Sequence, residues 1–353
     1  MFEGAQSILL VKLSSIGDVV HSLPVLAAAR RRFPKAHIAW AVGPAAADLV
    51  AGNPHLDEAL VVGGDGSADA DVCPVPRLSS PLRLALALRE RRFDLALDMQ
   101  GLLKTALIAY LSGARDRVGF HNLQEGAFLF NNRRIVMDRR DVHAVEGYLG
   151  FANAIGAPAE PLDFTIPISH ADRGVVDELL RGQRNLIALV PGARWRSKRW
   201  PAERFAEVAD VLAGEFGATC AVVGGKGDRA LAERIGEAAR SEILDLSGRT
   251  TLRQLAEVLR RCRVAIANDT GPMHISAAVG TPTVAIFGPT DPTRLAPYGS
   301  GHAVLKASVP CAPCRRRECL PLRCLEAITT REVVSVTEHI LRPLSPGGHR
   351  GLG

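Results

Sequence analysis

The sequence predicts an α/β protein of two halves, each a mostly parallel sheet covered on both faces by helices. Three observations lead there. Short apolar runs alternate with helix-like stretches along the chain, the pattern of βαβ units. The length of 353 residues exceeds what one core usually holds. A proline-rich stretch, APAEPLDFTIPIS (157–169), separates two such series and reads as a linker.

The first series opens with ILLVKL (8–13), an apolar run of strand length. A helical stretch runs from Asp18 to about Arg32 and stops before Pro34. HIAWAVG (37–43) is a second strand, PAAADLVAG a short helix and EALVVGG (58–64) a third strand. GDGSADADVCPVPRLSSP, rich in small and turn residues, is a loop. Helix PLRLALALRERR (81–92), strand DLALDMQ (94–100) and helix LLKTALIAYLSG (102–113) follow. RVGF (117–120) and RRIVM (133–137) are further strands, and His143 to Ile155 is helical.

The second series starts with strand LIALVPG (186–192) and helix AERFAEVADVLAGEFG (202–217). Strand TCAVVGG (219–225), helix DRALAERIGEAAR (228–240) and a short strand at 243–245 come next. Helix TTLRQLAEVLRRC (250–262), strand RVAIAND (263–269), helix GPMHISAAVG (271–280) and strand TVAIFG (283–288) continue it. A helix near 330–342 and a Gly/Pro tail close the chain. Ligands of such folds bind at the carboxyl ends of the strands, and with two domains the cleft between them is the natural site.

The formal charge is +6 and the pI about 9.1, which favours an anionic partner. The basic residues fall in scattered clusters, and no helix-turn-helix, finger or aromatic RNA-binding signature is present, so nucleic acid is not expected. No apolar run has transmembrane length and the N-terminus lacks the features of a signal peptide. A cytoplasmic protein is expected, with a peripheral place on an anionic membrane face. Seven cysteines, an odd number, argue against a disulfide framework.

Several motifs lie at strand ends. In SSIGDVVHSLP (14–24), Asp18 is either a helix cap or a cleft-facing carboxylate that serves as a general base. PGARWRSKRWP (191–201) is a basic loop before a helix, suited to a diphosphate through Lys198 and Arg194, or simply solvated. VVGGKGD (222–228) is a glycine-rich turn, with nucleotide contact equally open. NDTGPMH (268–274) opens a helix whose free N–H groups suit an anion, with His274 a further donor or a structural residue. Cys311, Cys314, Cys319 and Cys324 are a zinc candidate through CAPC, or reduced structural cysteines.

Taken in order, VKLSSIGDVVHSLP, LDMQGLLKTA, HAVEG, PGARWRSKRWP, NDTGPMH and FGPTDP near PYG resemble the ADP-heptose:lipopolysaccharide heptosyltransferases, glycosyltransferase family 9. The SSIGDVVHSLP and DMQGLLK forms are most similar to heptosyltransferase I, and the CAPCRRREC segment is similar to heptosyltransferase II. The resemblance implies a GT-B fold: two Rossmann-like domains facing across a cleft. It implies an acceptor domain over 1–165, a nucleotide-sugar domain over 166–325, and over 326–353 a C-terminal helix crossing back with a flexible tail. It implies inverting transfer of L-glycero-D-manno-heptose from ADP-heptose to the Kdo of lipid A at the inner membrane, with no metal and no other cofactor. Asp18 matches the catalytic base and Lys198 the phosphate-binding lysine. Asp269, Thr270, Gly271 and His274 match donor contacts, with Arg194 where the family often has a small hydroxyl residue, and Asp228 near an acidic ribose ligand. Ser15, Gly17, Gln100, Lys104 and Arg117 are expected on the acceptor side. Other readings stay open: another sugar or acceptor within the family, a non-catalytic nucleotide-binding protein, and an NAD-dependent dehydrogenase.

Overall fold

The computed structural model describes residues 2, 4–63, 77–78, 81–121, 125–136 and 142–342. Most of the loop expected between the third strand and the next helix, Cys73 and the tail beyond 342 lie outside the described residues.

The first half runs β1 (Ser7–Val11), α1 (Ile16–Arg32), β2 (His37–Val42), β3 (Glu58–Val62), β4 (Arg77–Leu78), α2 (Pro81–Glu90), β5 (Leu95–Asp98), α3 (Leu103–Leu111), β6 (Asp116–Phe120), β7 (Arg133–Ile135) and α4 (Ala144–Ala154). The second runs α5 (His170–Leu179), β8 (Leu186–Val190), α6 (Ala202–Phe216), β9 (Thr219–Val222), α7 (Arg229–Ala238), β10 (Ile243–Asp245), α8 (Leu252–Arg261), β11 (Val264–Asn268), α9 (Gly271–Ala278), β12 (Thr283–Phe287), α10 (Pro292–Leu295), β13 (Ala303–Lys306), α11 (Arg323–Glu326) and α12 (Thr330–Leu341). The stretch expected as a short helix after β2 is a 3-10 turn over Pro44–Leu49.

Each half folds around one parallel sheet. The orders are β4-β3-β2-β1-β5-β6-β7 and β10-β9-β8-β11-β12-β13. In both, the first strand of the half sits mid-sheet and the winding reverses beside it, at β1/β5 and at β8/β11. A parallel strand with helices on both faces must be apolar throughout, and β1, β8, β11 and β12 are buried almost end to end. A reversal of winding leaves a crevice beyond the carboxyl ends of the two strands beside it. The loops after β1, β5, β8 and β11 therefore carry the ligand-facing residues.

The segment 157–169 lies along the first half. Arg31 Nη2 donates to the carbonyls of Pro158 and Ala159, and Asn53 Nδ2 to that of Thr165. α12 packs on α6 and on β11, β12 and β13, all in the second half. Residues beyond 342, part of the expected segment crossing back, are outside the described residues. Trp200, which follows the basic loop, is fully buried with its indole N–H on the Ile328 carbonyl. Its place in the sequence is explained by packing: it anchors the loop to the second core.

The halves meet along α1 and α9 and along α8 and the 3-10 turn after β2. A methyl group added at Gly17 would lie 2.4 Å from His274 Cδ2, and one at Gly271 would lie 2.7 Å from Ile16 Cγ2. A side chain at either position must push its neighbour aside, so glycine lets the helix N-termini abut. Arg253 on α8 donates through Nε to the Asp48 carbonyl at 2.7 Å and pairs with the Asp48 carboxylate. His143 Nε2 donates to the Ala296 carbonyl at 2.9 Å.

Gly17→Ala is expected to destabilise the protein by about 1–3 kcal/mol through overpacking at this seam. Gly174→Ala, in a helix with nothing within 4 Å of the added methyl, is expected to be neutral or slightly stabilising. Thermal unfolding of the two variants checks the contrast.

Candidate active site

The loops after β1 and β5 build a cavity of about 320 Å³ lined by Lys12, Ser14, Ser15, Asp18, Gln100, Leu102, Phe120, Tyr148 and Arg294. Gln100 shapes its floor. Its Oε1 accepts from the Leu13 and Ser14 amides at 2.8 and 3.1 Å, while its Nε2 donates to Ser14 Oγ. The turn bearing Gln100 is held by Asp98, which accepts from the amides of Gln100 and Gly101. Burial pushes the Asp98 carboxyl up from its ordinary value.

Asp18 divides its two oxygens between two tasks. Oδ2 accepts from the Ser15 amide at 3.1 Å and the Ser15 hydroxyl at 2.7 Å, closing the first turn of α1. Oδ1 accepts from the Tyr148 hydroxyl at 2.9 Å and lies 3.9 Å from the Lys12 ammonium. Lys12 is buried and also donates to Tyr148 and to the Met99 carbonyl. Burial pushes the Asp18 carboxyl up, but Lys12, His21 and the Ser15 hydrogen bonds outweigh it and hold the group well below the usual carboxylate range. Asp18 is thus a fixed carboxylate with about a third of its side chain open to the cavity. The helix cap and a cleft-facing carboxylate are the same residue.

The second half supplies a cavity of about 350 Å³ beyond β8, β9 and β11, lined in part by Gly192, Arg194, Arg199, Gly225, Asp228 and Thr270. Asp228 Oδ2 accepts from the Gly225 amide at 2.9 Å. A methyl at Gly192 or Gly224 would fall within 2.6 Å of the Asp228 carboxylate, so the glycines make room for it. Beside this cavity Lys198 Nζ donates to Asp269 Oδ2 at 2.6 Å, and the Thr290 hydroxyl donates to the same oxygen at 2.6 Å. Lys198 also lies over the Trp195 ring, 4.7 Å from its centroid. Ile16, two residues before Asp18, lines this second cavity, so the α1 turn forms a wall common to both.

Behind that wall three histidines meet. His21 Nε2 and His274 Nδ1 are 2.9 Å apart, and the His143 ring packs edge-on to His21. A hydrogen bond between two imidazoles requires one of the facing nitrogens to lack its proton. Burial drives His274 down to about 4, against the opposing pull of Asp269 and Asp18. Burial and then His274 hold His21 well below its ordinary value.

The structure thus brings Ser15, Asp18 and Gln100 to one cavity, and Arg194, Asp228 and Thr270 to the other. Lys198 and Asp269 form an ion pair, and Gly17, Gly271 and His274 make the seam between the halves. Lys104 and Arg117 do not line the first cavity. Lys104 is exposed on α3, and the Arg117 guanidinium is taken up by the Phe130 and Ala114 carbonyls at 2.7 and 2.6 Å. Among the described residues no group of three or more Cys, His, Asp or Glu is placed to hold a metal. Cys311 is exposed and Cys324 buried, and neither forms a disulfide. Four polar residues that line the first cavity escaped the sequence reading: Lys12, Ser14, Tyr148 and Arg294. The signal for Lys12 was a charge within an otherwise apolar strand.

A family model described as glycosyltransferase family 9 (heptosyltransferase) matches residues 81–324. The chain belongs to that family. It is 31% identical over 318 residues to lipopolysaccharide heptosyltransferase 1 of Pseudomonas aeruginosa, covering 88% of this chain and 87% of the relative. It is 27% identical to lipopolysaccharide heptosyltransferase 2 of Salmonella typhimurium, covering 85% and 87%. A family 9 glycosyltransferase from Veillonella parvula superposes with a TM-score of 0.81 at 24% identity, over 97% of this chain and 98% of that one. An E. coli heptosyltransferase with ADP-2-deoxy-2-fluoro heptose superposes at 0.72 with 25% identity, over 94% and 99%. The fold is GT-B, and this family 9 chain is a glycosyltransferase.

The seam histidines give the chain a pH signature. Unfolded, each titrates near 6.5. Folded, both are depressed, so below about pH 6.5 the unfolded chain binds more protons and stability falls as pH falls. Asp18, depressed as a carboxylate, loses its contribution only below about pH 4 and leaves this window clear. Unfolding temperatures measured from pH 7.5 to 5 are expected to fall. In a His21→Gln/His274→Gln protein that slope flattens, by up to about 1.4 kcal/mol per pH unit for each histidine removed.

Proposed function

We propose that the chain transfers L-glycero-D-manno-heptose from ADP-heptose to a Kdo residue of lipopolysaccharide, with inversion and without a metal. Residues 1–165 hold the acceptor and 166–325 the nucleotide sugar. The observation that carries this reading is Asp18: an ionised carboxylate on the wall between the two cavities, fixed by Ser15, Tyr148 and Lys12.

The acceptor hydroxyl lies in the first cavity and its oxygen attacks the anomeric carbon of the donor. The C–O bond to the diphosphate breaks, ADP leaves, and the hydroxyl proton passes to Asp18. Because the Asp18 carboxyl is held low, it is a weak base. Proton transfer therefore follows bond making, once the attacking oxygen carries positive charge. Lys12 and Arg294 line the acceptor cavity and suit an acidic sugar. Lys198, Arg194 and the N-terminal amides of α9 meet the diphosphate. Lys198 exchanges Asp269 for phosphate as its partner, Asp228 holds the ribose and Thr270 contacts the donor, while His274 acts from the seam by holding the α9 turn in place. Relatives named for lipopolysaccharide and its core support this substrate class. On this reading the enzyme works peripherally at the cytoplasmic face of the inner membrane, where a lipid-linked acceptor is presented; no helix among the described residues is long and apolar enough to cross a membrane.

A heptosylated acceptor is the second reading, favoured by the match to a heptosyltransferase 2.

The test is ADP release from ADP-heptose with Kdo₂–lipid A. The native protein is expected to turn over. Asp18→Asn is expected to fall by about 10²–10⁴ while binding ADP as before. Turnover only with a heptosylated acceptor would establish the second reading, and equal turnover in the variant would return Asp18 to helix capping alone.

A further inference from the structure

The face of the first half beside the acceptor cavity is apolar, exposed and rimmed by cations. On α3, Leu103, Leu107 and Tyr110 recur at helical spacing and are all exposed. The neighbouring 3-10 turn adds Phe128 and Leu129, and Leu129 is 74% exposed. Val136, just past the edge strand β7, is 78% exposed. An isolated exposed leucine needs no account, but a cluster of this kind on two adjoining elements marks an interaction surface.

Basic residues are interleaved with this cluster. The Arg117 guanidinium lies 5.5 Å from the Tyr110 ring centroid and that of Arg134 5.6 Å from the Phe128 ring. Lys104, Arg115 and Arg133 are exposed around them. Among the described residues here the carboxylates are Asp116, paired with Arg133, and Glu125, whose Oε2 accepts from the Leu103 amide. Among the described residues, five cations against two carboxylates leave this surface positive. It is also continuous with the site: Leu102 lines the acceptor cavity, and Leu103 begins the exposed face.

We propose that this face docks on an anionic lipid bilayer, with the leucines and aromatic rings entering the headgroup region and the arginines meeting lipid phosphates. The charge excludes a simple apolar partner and complements an anionic leaflet. The orientation sets the mouth of the acceptor cavity at the membrane surface, where a lipid-linked sugar presents itself. That consequence rests on the acceptor proposed above, whereas the docking does not.

The test is co-sedimentation of the full chain with phosphatidylethanolamine vesicles with and without phosphatidylglycerol. The native protein is expected to sediment with the anionic vesicles and to be released by salt. Leu107→Glu/Leu129→Glu and, separately, Arg134→Glu are expected to lower vesicle binding about tenfold or more, with ADP binding unchanged. With acceptor embedded in vesicles, transfer by the leucine variant falls by a similar factor, while transfer to a deacylated, water-soluble acceptor holds. Failure of the native protein to bind anionic vesicles, or equal binding by the variants, overturns docking here. Loss of a dimer in the variants without vesicle binding by the native protein assigns the face to a second copy and equally overturns it. Vesicle binding without transfer to any Kdo acceptor leaves docking standing and sinks the acceptor reading.

Discussion

Between Gly17 on α1 and His274 on α9 there is no space for a methyl group, and the same holds between Gly271 and Ile16. This contact is what turns two crevices into one cleft. Each sheet makes its own crevice where its winding reverses, and each alone would hold one ligand. Only the abutting helix N-termini place the Asp18 turn as a wall common to both cavities. Two positively polarised helix ends approach here, and the acidic residues nearby, Asp18 and Asp269, offset that field. The buried His21–His274 hydrogen bond closes the seam behind them, and it does so with neutral rings, which cost less to bury than charged ones.

Asp18 shows how one side chain meets two demands. As a cap it must stay ionised and fixed, and the Ser15 and Tyr148 hydrogen bonds with Lys12 achieve that. In the proposed role of base it would be stronger at a higher pKa. The arrangement favours position and charge over basicity, consistent with a reaction in which the proton is lost late. Beside the second cavity the ion pair of Lys198 with Asp269 keeps a cation from being buried alone.

Much of this was legible in the sequence, because the candidate residues sit at strand ends and apolar runs mark the strands. SSIGD, GARWRSK and NDTG each follow such a run. What escaped had weak local signals. β13 is a short edge strand with alternating exposure, and α5 follows directly on a proline-rich stretch that masks its start, although Ser169 and Asp172 form a capping box there. Lys12 was hidden inside its strand, Tyr148 lies on a helix far from Asp18 in sequence, and Arg294 comes from the other half; only tertiary packing joins them. Arg117, whose charge suggested an acceptor contact, lies outside the first cavity with its guanidinium held by backbone carbonyls. Trp200, too, owes its place beside the basic loop to the core.

The most direct measurement is transfer and ADP affinity in one Gly17→Ala preparation. The second cavity, the proposed nucleotide site, belongs almost wholly to the second half, so ADP affinity should stay within about threefold of native and certifies the fold. Transfer should fall about tenfold or more, because a displacement of even an ångström between reacting groups is that costly. Native transfer rates with native ADP affinity would contradict the account, since Asp18 would then not depend on the seam for its place.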